Sequence, residues 1–404
     1  MQLPSLYYLE RYRNKGTRTY SQHAEFTEAA TSYQPASPMP QFSMKVYELP
    51  LHAVNIYLAN PDEELLQRFL NENSVNFYVH PQVLEQHADD PYLKIIKSTA
   101  LNETTQAVTP SSSTRTLFVA DDVPHAVKVH FPFKVSRYTR KMRDEVVEQA
   151  IEVSKELEQN INKLPSDFAL LREVIGITIK ETDESDSRPE NWGFVVRDMI
   201  PFPKVNEKRN LVPGFALYGE DSNHNDTIPL LISLIANHEV VSYVLENIML
   251  PIIRHWLECF KQFGFMLEPH GQNVLLEVSA DNAIKRIVHR DLSVGIDMRR
   301  RAELNLNNDH LNEYNRMTDS AFQSITFDKF IGSHFFDRIV QCCLENFQGI
   351  TEEDFTMPCR EEFQRLFPEY KNYFPDTVWY YSEKRDQYNK PLNEDTGIKP
   401  KWRP

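Results

Sequence analysis

The sequence predicts an α+β fold, in which a β-rich central lobe is followed by a mainly helical C-terminal lobe. Short β-rich runs separated by turn residues dominate the middle of the chain, whereas residues 228–263 show helical apolar spacing and almost no glycine. A chain of 404 residues with 41% hydrophobic content is also long enough to bury a substantial core. We therefore divide it into residues 1–75, the β-rich lobe 76–225 and the helical lobe 226–404.

The segments before residue 115 are predicted mainly from turn residues and apolar spacing. Residues 30–42 are rich in proline and small polar residues, which indicates a surface loop. Residues 62–72 have the spacing of an amphipathic helix, and the run NFYVH that follows is typical of a strand. The polar stretch LNETTQAVTPSSST, residues 101–114, predicts a second loop.

Two hairpins are predicted further along the chain. The runs TLFVA and HAVKVHF are separated by Asp121, Asp122, Val123 and Pro124, which favours a hairpin that brings Arg115 near Lys128. The runs NVLLEV and AIKRIVH form the second hairpin, with the turn SADN between them.

Between the hairpins, a helical pattern covers residues 136–156. Ser136 and Thr139 are candidate N-caps, which would place Arg140 in the first turn. Acidic loops at 181–190 and 219–226 flank the strand-like run WGFVVRDMI. The last hundred or so residues are predicted to form helices with a polar, proline-punctuated tail.

Composition excludes several classes of function. A formal charge of −14 argues against nucleic acid as a partner, because phosphate backbones are bound by positive surfaces. No apolar run reaches the roughly 18 residues of a membrane span, and the N-terminus has no apolar signal region, so we expect a cytoplasmic protein with no membrane partner. The cysteines have no metal-ligand or disulfide spacing and are expected to be buried, inert thiols: Cys259, Cys342, Cys343 and Cys359.

One stretch of this acidic chain is strongly basic. It contains Lys128, Lys134, Arg137, Arg140, Lys141 and Arg143. Strand alternation directs Lys128 away from the apolar face of its strand, and a position in a first helical turn would favour anion binding by Arg140. Lys141 and Arg143 are better explained as a solvated basic face.

A candidate anion site follows from the basic stretch. Lys128 and Arg140, together with the planar fork of Arg115, can form a cradle for a phosphate, and Ser113 and Thr116 can donate hydroxyl groups to it. The alternative is that these side chains also belong to a solvated basic surface.

A second candidate cluster surrounds the second hairpin. Glu268, His270, Gln272 and Asn273 precede its first strand, and Asp291 follows its last strand, so the five residues are expected to be neighbours. Glu268, Asn273 and Asp291 offer the hard oxygen ligands that magnesium prefers. His270 and Gln272 can hydrogen-bond a phosphate or a nucleoside. The alternative is a set of polar turn residues around a satisfied, partly buried histidine.

At these two clusters the sequence resembles the siderophore synthetases that act independently of nonribosomal peptide synthetases, the IucA/IucC family. The S-x-R-T element of that family is present at residues 113–116, and its lysine and arginine, twelve positions apart, are Lys128 and Arg140. Its H-G-Q-N signature is present at residues 270–273 after Glu268, and its R-D pair is at residues 290–291. Weaker similarity spans residues 76–350.

The resemblance implies a ligase of siderophore biosynthesis and iron acquisition that uses ATP and Mg²⁺. It would adenylate a carboxylate of citrate or a related acid and condense it with an amine or hydroxyl, forming an amide or ester. The implied ATP-binding residues are Ser113, Arg115, Thr116, Lys128, Arg140, His270 and Gln272. Of these, Arg115, Lys128, Arg140 and His270 have implied catalytic roles, and Glu268, Asn273 and Asp291 would hold magnesium. The family is often dimeric, so a homodimer is compatible with the resemblance.

One departure accompanies the resemblance. Family members carry an upstream G-H-P-x-H-P-x-x-K-x-R-x-G element, whereas the one His-Pro pair here is His80 and Pro81, in a later element. This predicts a shortened N-terminal lobe, and leaves open a compact synthetase, an inactive one, or a site completed by another chain.

Two other function classes remain open at this point. A kinase-like phosphotransferase is suggested because AVKV around Lys128 resembles a kinase strand and Glu268 precedes Asn273 by the kinase D-x-x-x-x-N interval. Against it, no glycine-rich loop precedes Lys128. The third class is a non-catalytic nucleotide-binding partner or pseudoenzyme.

Overall fold

The computed structural model describes residues 2–17, 26–136, 138–180, 190–224, 228–385 and 391–404. Over this part of the chain the predicted α+β fold is confirmed, with a large antiparallel sheet, a smaller mixed sheet and many helices packed around the latter. The boundaries of the three predicted regions stay a prediction.

The strands are β1 (Phe42–Pro50), β2 (Val54–Leu58), β3 (Ser74–Val79), β4 (Asn102–Pro110), β5 (Thr116–Val119), β6 (His125–Val129), β7 (Phe131–Val135), β8 (Tyr138–Arg140), β9 (Phe168–Leu170), β10 (Glu173–Ile179), β11 (Gly193–Asp198), β12 (Asn210–Pro213), β13 (Phe265–Met266), β14 (Val274–Val278), β15 (Ile284–His289), β16 (Gly295–Asp297), β17 (Arg316–Met317), β18 (Trp379–Arg385) and β19 (Pro391–Asp395).

The α-helices are α1 (Leu6–Tyr12), α2 (Glu63–Leu66), α3 (Pro81–Gln86), α4 (Pro91–Thr99), α5 (Asp144–Gln159), α6 (Leu230–Ile235), α7 (Val240–Val244), α8 (Leu250–Phe263), α9 (Met298–Glu303), α10 (Ala321–Ser324), α11 (Asp337–Asn346) and α12 (Glu353–Leu366). Two segments are π-helical, Leu245–Met249 and Ile325–Phe336.

The large sheet has eight antiparallel strands in the order β2-β10-β11-β6-β5-β4-β1-β3. The predicted first hairpin is confirmed as β5 and β6, with Thr116 opposite Lys128. Helix α5 packs on β10 at Gly176, where a Cβ atom would lie 2.5 Å from a methyl carbon of Val147. The absence of a side chain at residue 176 therefore sets how closely this helix approaches the sheet.

The smaller sheet, β12-β14-β15-β9, contains the predicted second hairpin, β14 and β15, which is also confirmed. Strand β9 adds to β15 in parallel. The surrounding helices bury a large apolar core around Trp256, whose indole N–H donates to the carbonyl oxygen of Leu267 (3.1 Å). All four cysteines are buried in the structure, as expected.

Three boundary predictions before residue 160 are wrong. Most of the loop predicted at 101–114 is strand β4, which pairs with β1 and β5, and only residues 111–114 form a turn. The helix predicted at 62–72 is shorter in the structure and covers only α2, Glu63–Leu66. The helix predicted at 136–156 begins only at Asp144, since β7 and β8 pair with each other instead. Ser136 and Thr139 are thus not N-caps, and tertiary pairing overrides their local preference.

The C-terminal predictions hold in type but not in detail. Residues 228–263 are helical, yet Ala236 has a φ of 49° and separates α6 from α7, and a π-helical turn precedes α8. The β18–β19 hairpin interrupts the predicted helical tail. The acidic loop at 181–190 lies outside the described residues except for Glu190.

No helix within the described ranges combines the length and the apolar character that crossing a bilayer requires.

Candidate functional site

Two adjoining cavities, of about 60 and 230 Å³, lie where the two hairpins meet. The smaller is lined by Ser113, Arg115, Thr116, Lys128, Arg140, Gln272, Asn273 and Asp291, and the larger by Glu268 and His270 together with four residues of the first set. The structure therefore brings all ten predicted site residues to one place.

The contact between the two hairpins is an ion pair. Lys128, on β6, is 5% exposed, and its ammonium group donates to a carboxylate oxygen of Asp291, which follows β15. A buried lysine is stable only with such a partner. The two residues, 163 positions apart, thereby connect the two candidate clusters.

The S-x-R-T segment is a tight turn held by its own hydroxyl groups. The Ser113 hydroxyl accepts from the backbone N–H of Thr116 (3.2 Å) and lies 3.0 Å from the Ser111 hydroxyl. Thr114 has a positive φ of 69°. Backbone strain of this kind is typical of functional sites, where surrounding contacts fix an unfavourable conformation.

Arg115 and Arg140 are linked through the backbone. The Arg115 guanidinium donates to the carbonyl oxygen of Arg140 (3.0 Å), and that of Arg140 donates to the carbonyl oxygen of Val135 (3.2 Å). Arg140 lies on β8 and not in a helical turn, so the predicted contribution of a helix dipole is wrong. Its side chain nevertheless lines both cavities.

The ends of the second hairpin are neighbours, as predicted. The backbone N–H of Arg290 donates to the carbonyl oxygen of Asn273 (3.0 Å). Asp291 has a positive φ of 70°, a further strained residue at this site.

Gly271 permits close packing within the H-G-Q-N segment. A Cβ atom there would lie 2.6 Å from the Tyr218 hydroxyl and 3.0 Å from the backbone nitrogen of Phe215, whose N–H donates to the Gly271 carbonyl (2.9 Å). Only glycine allows this approach.

His270 is held as a neutral ring. Burial lowers the pKa of His270 to about 4. Its Nδ1 accepts from the backbone N–H of Gln272 (3.2 Å), so the proton of the neutral ring is on Nε2. The ring contacts Phe330 edge to face, with centroids 5.6 Å apart. His270 can therefore act as a hydrogen-bond donor without carrying charge.

The two carboxylates of the site differ in protonation. Burial, and then the charge of Asp291, raise the pKa of Glu268 to about 8. Burial acts in the same direction on Asp291, but the positive charges of Lys128 and Arg197 hold its pKa well below the usual range. Among the residues that the structure describes, no group of three or more His, Cys, Asp or Glu side chains has metal-site geometry. These two carboxylates and the Asn273 amide are among the oxygen donors that line the cavities.

Two arginines of the smaller cavity were not predicted as site residues. Arg197 lies on β11, and its guanidinium donates to Glu173 (2.7 Å). Arg290 forms an ion pair with Glu10 (2.6 Å). Arg197 lies in the strand-like run WGFVVRDMI and Arg290 in the R-D pair, but the sequence does not show that either side chain turns toward the cavity.

Aromatic side chains of the larger cavity were also missed. They come from three segments whose spacing gave no signal: Phe330 and His334 from the second π-helix, Tyr380 and Tyr381 from β18, and Phe215 and Tyr218 from the segment after β12. Burial lowers the pKa of His334 to about 3, and its Nε2 lies 3.2 Å from the Tyr380 hydroxyl. π-helical turns are frequent at functional sites.

Of the other basic residues of this stretch, the described ones, Lys134, Lys141 and Arg143, line neither cavity. Lys141 and Arg143 both form ion pairs with Glu190, which agrees with a basic surface. Arg137 lies outside the described residues.

Residues 40–219 match the sequence model of the IucA / IucC family. This confirms the family resemblance predicted from the motifs. No curated relative matches the chain.

Solved structures show the same fold. The petrobactin biosynthesis protein AsbB from Bacillus anthracis str. Sterne has a TM-score of 0.67 at 16% identity, over 85% of this chain and 64% of that chain. The aerobactin synthetase IucC from a hypervirulent pathotype of Klebsiella pneumoniae has a TM-score of 0.66 at 14% identity, over 89% and 67%. An ATP-bound aerobactin synthetase IucA from the same source has a TM-score of 0.62 at 14% identity, over 86% and 65%. The match therefore spans about two thirds of the length of each of these proteins.

Proposed function

From the IucA / IucC family match and the convergence of the two hairpins, we propose that this chain is an ATP-dependent siderophore synthetase. It adenylates a carboxylate of citrate or a related acid and condenses it with an amine or hydroxyl. The observation that carries the proposal is the contact of Lys128 with Asp291 at a cavity lined by both motif sets.

The smaller cavity suits a polyphosphate. Arg115, Lys128, Arg140 and Arg197 surround it with positive charge in a protein whose net charge is −14. Donors held in advance in a buried site stabilise the charge that develops on a transferring phosphate better than solvent does. Thr116 and Ser113 add hydroxyl donors at the same wall.

The neighbouring oxygen donors suit Mg²⁺. Asn273 and Asp291 line both cavities, Glu268 lines the larger one, and the three offer the hard oxygen ligands that this ion takes. When bound, the ion would neutralise phosphate charge as a Lewis acid. Lys128 holds the Asp291 carboxylate in place.

In the proposed reaction, a carboxylate oxygen of the acid attacks the α-phosphorus of ATP. The new P–O bond gives an acyl-adenylate, and pyrophosphate leaves. An amine or hydroxyl then attacks the acyl carbon, loses its proton and displaces AMP. Arg115, Lys128 and Arg140 bind the phosphates, while the Nε2–H of His270 donates to an oxygen of the nucleotide or the acid.

The larger cavity is the candidate place for the acid and its acceptor. It shares Arg140 and Asn273 with the smaller cavity, so an acid bound there would lie next to the proposed phosphate site. Aromatic rings also line it, at Phe330, Tyr380 and Tyr381.

Exchange of labelled pyrophosphate into ATP tests the assignment. With an accepted acid present, Arg115→Ala and Lys128→Ala are each expected to lower the exchange rate by about 10²- to 10³-fold, because each removes a donor to the reacting phosphates. Lys141→Ala is the matched control, since Lys141 pairs with Glu190 outside the cavities. Exchange that continues at the wild-type rate in both variants would refute the assignment.

The reaction products distinguish the proposed synthetase from the two alternative function classes. Adenylation yields AMP and pyrophosphate, a kinase-like transfer yields ADP, and a pseudoenzyme binds ATP without consuming any acid. A screen of citrate, its monoamides and α-ketoglutarate, each with polyamines and hydroxylamines as acceptors, identifies the substrates.

A further inference from the structure

A buried carboxylate from the N-terminal helix lies behind the cavity wall. Helix α1 packs on β12, and its Glu10 is 0% exposed. None of the motifs includes this residue. A fully buried glutamate is costly unless each oxygen has a partner, so its contacts indicate what it does.

Glu10 contacts both halves of the site. One carboxylate oxygen accepts from the backbone N–H (3.0 Å) and the hydroxyl (2.6 Å) of Ser112, next to Ser113 in the S-x-R-T turn. The other oxygen lies 2.6 Å from the Arg290 guanidinium. A single side chain thus joins the turn that carries Arg115 to the segment that carries Asp291.

These contacts belong to a closed ring. The Gln272 side-chain amide donates to the Ser112 hydroxyl (3.3 Å), and the Arg290 guanidinium donates to the Gln272 carbonyl (2.7 Å). Glu10, Ser112, Gln272 and Arg290 therefore fix one another. Each of the last three is adjacent in sequence to a predicted ligand-binding residue.

We propose that Glu10 is a positioning residue that sets the distance between the phosphate-binding turn, residues 111–116, and the Arg290–Asp291 pair. The role in ATP binding rests on the proposed function, whereas the positioning itself does not. Loss of the negative charge on Glu10 leaves Asp291 as a carboxylate that still attracts Arg290 electrostatically. The proposal predicts that Asp291 then shifts away from Lys128.

The same N-terminal segment reaches the larger cavity. Asn14 and Thr17, which follow α1, line its wall. The Asn14 side chain donates to the carbonyl oxygen of Glu10 (2.8 Å). Displacement of α1 is therefore expected to disturb both cavities.

Amide hydrogen exchange and nucleotide titration test the proposal on the full chain. Glu10→Gln keeps the size of the side chain but places an amide nitrogen, which cannot accept, against Ser112 or Arg290. We expect exchange at residues 111–116 to become at least about tenfold faster, with helix α8 unchanged. We also expect ATP to bind at least about tenfold more weakly while adenosine binding does not change.

Two further variants make the test decisive. Glu220→Gln is the matched control. It removes an exposed partner of Lys15, which belongs to the same N-terminal segment as Glu10, and it should behave as wild type. Ser112→Ala removes the hydroxyl contacts with Glu10 and Gln272 but keeps the backbone N–H contact with Glu10, and it replaces Glu10→Gln in the test if that variant does not fold. Unchanged exchange at residues 111–116 in the folded variants overturns the proposal. Equal losses of ATP and adenosine binding also overturn it, because they indicate general unfolding. A wild-type chain that binds no ATP refutes the proposed function, and the exchange result still decides the role of Glu10.

Discussion

Buried charges at the cavity are compensated by residues from distant parts of the sequence. Lys128 pairs with Asp291, Arg290 with Glu10, and Arg197 with Glu173. Removing one member of a buried pair typically costs about 3 to 5 kcal/mol, because the remaining charge has no solvent to stabilise it. The site residues therefore contribute to stability as well as to binding, and substitutions there require a measurement of both.

His80 is predicted to contribute to the pH dependence of the free energy of unfolding. Burial lowers the pKa of His80 to about 3, and its Nδ1 accepts from the backbone N–H of Gln82 at the start of α3 (3.2 Å). Between about pH 3 and 6.5 the unfolded chain binds a proton at this residue and the folded chain does not, so stability falls as pH falls through this window. His80→Asn keeps an N-cap acceptor and removes the proton site.

The measurement is urea unfolding at pH 7 and pH 4. The stability lost between these values should shrink by about 3 kcal/mol in His80→Asn. His52→Asn, which replaces an exposed ring, is the control. An identical loss in wild type and His80→Asn contradicts this explanation.

Sequence reasoning found the site residues that belong to spaced motifs and missed those defined by contact. Lys128 and Asp291 could be predicted because each lies at a hairpin. Glu10 and Arg197 could not, since their partners are distant in sequence and nothing local distinguishes them from surface charges.

At the scale of elements, hairpins were predictable because their signals are local. The β5–β6 and β14–β15 pairs follow from short apolar runs around polar turns. Strand β4 was not predictable, since its polar residues form a strand only by pairing with β1. Strand β8 likewise forms against β7 where a helix had been predicted.

Substitutions at two glycines can distinguish a loss of packing from a loss of ATP binding. Gly271→Ala would place a methyl group against Tyr218 and Phe215, and Gly176→Ala would place one against Val147 of α5. Both are expected to destabilise the protein by about 1 to 3 kcal/mol, because well-packed sites do not absorb an added carbon. Only Gly271→Ala should also weaken ATP binding, as it displaces the H-G-Q-N segment.

Denaturant unfolding and ATP titration of the two variants check this. Equal effects on ATP binding would indicate that the H-G-Q-N segment has no special place in the site. A Gly271→Ala protein as stable as wild type would show that the close packing described here is wrong.

At the scale of the whole molecule, the cavity joins the large sheet to the smaller one. Lys128 belongs to the first sheet, and Asn273 and Asp291 flank the β14–β15 hairpin of the second. A ligand bound at both is expected to stabilise the entire fold. At a concentration of 100 times its dissociation constant, ATP with Mg²⁺ should raise the free energy of unfolding by about 2.7 kcal/mol. Thermal unfolding with and without the nucleotide checks this, and at the same concentration Arg115→Ala should show at most about half of the stabilisation.

The most direct test is calorimetric titration of ATP with Mg²⁺ into wild type and one variant from each hairpin region, Arg115→Ala and Asn273→Ala. If both hairpin regions form a single nucleotide site, each variant should weaken ATP binding by at least about tenfold. Wild-type affinity in either variant would contradict the claim that the two hairpins form one nucleotide site.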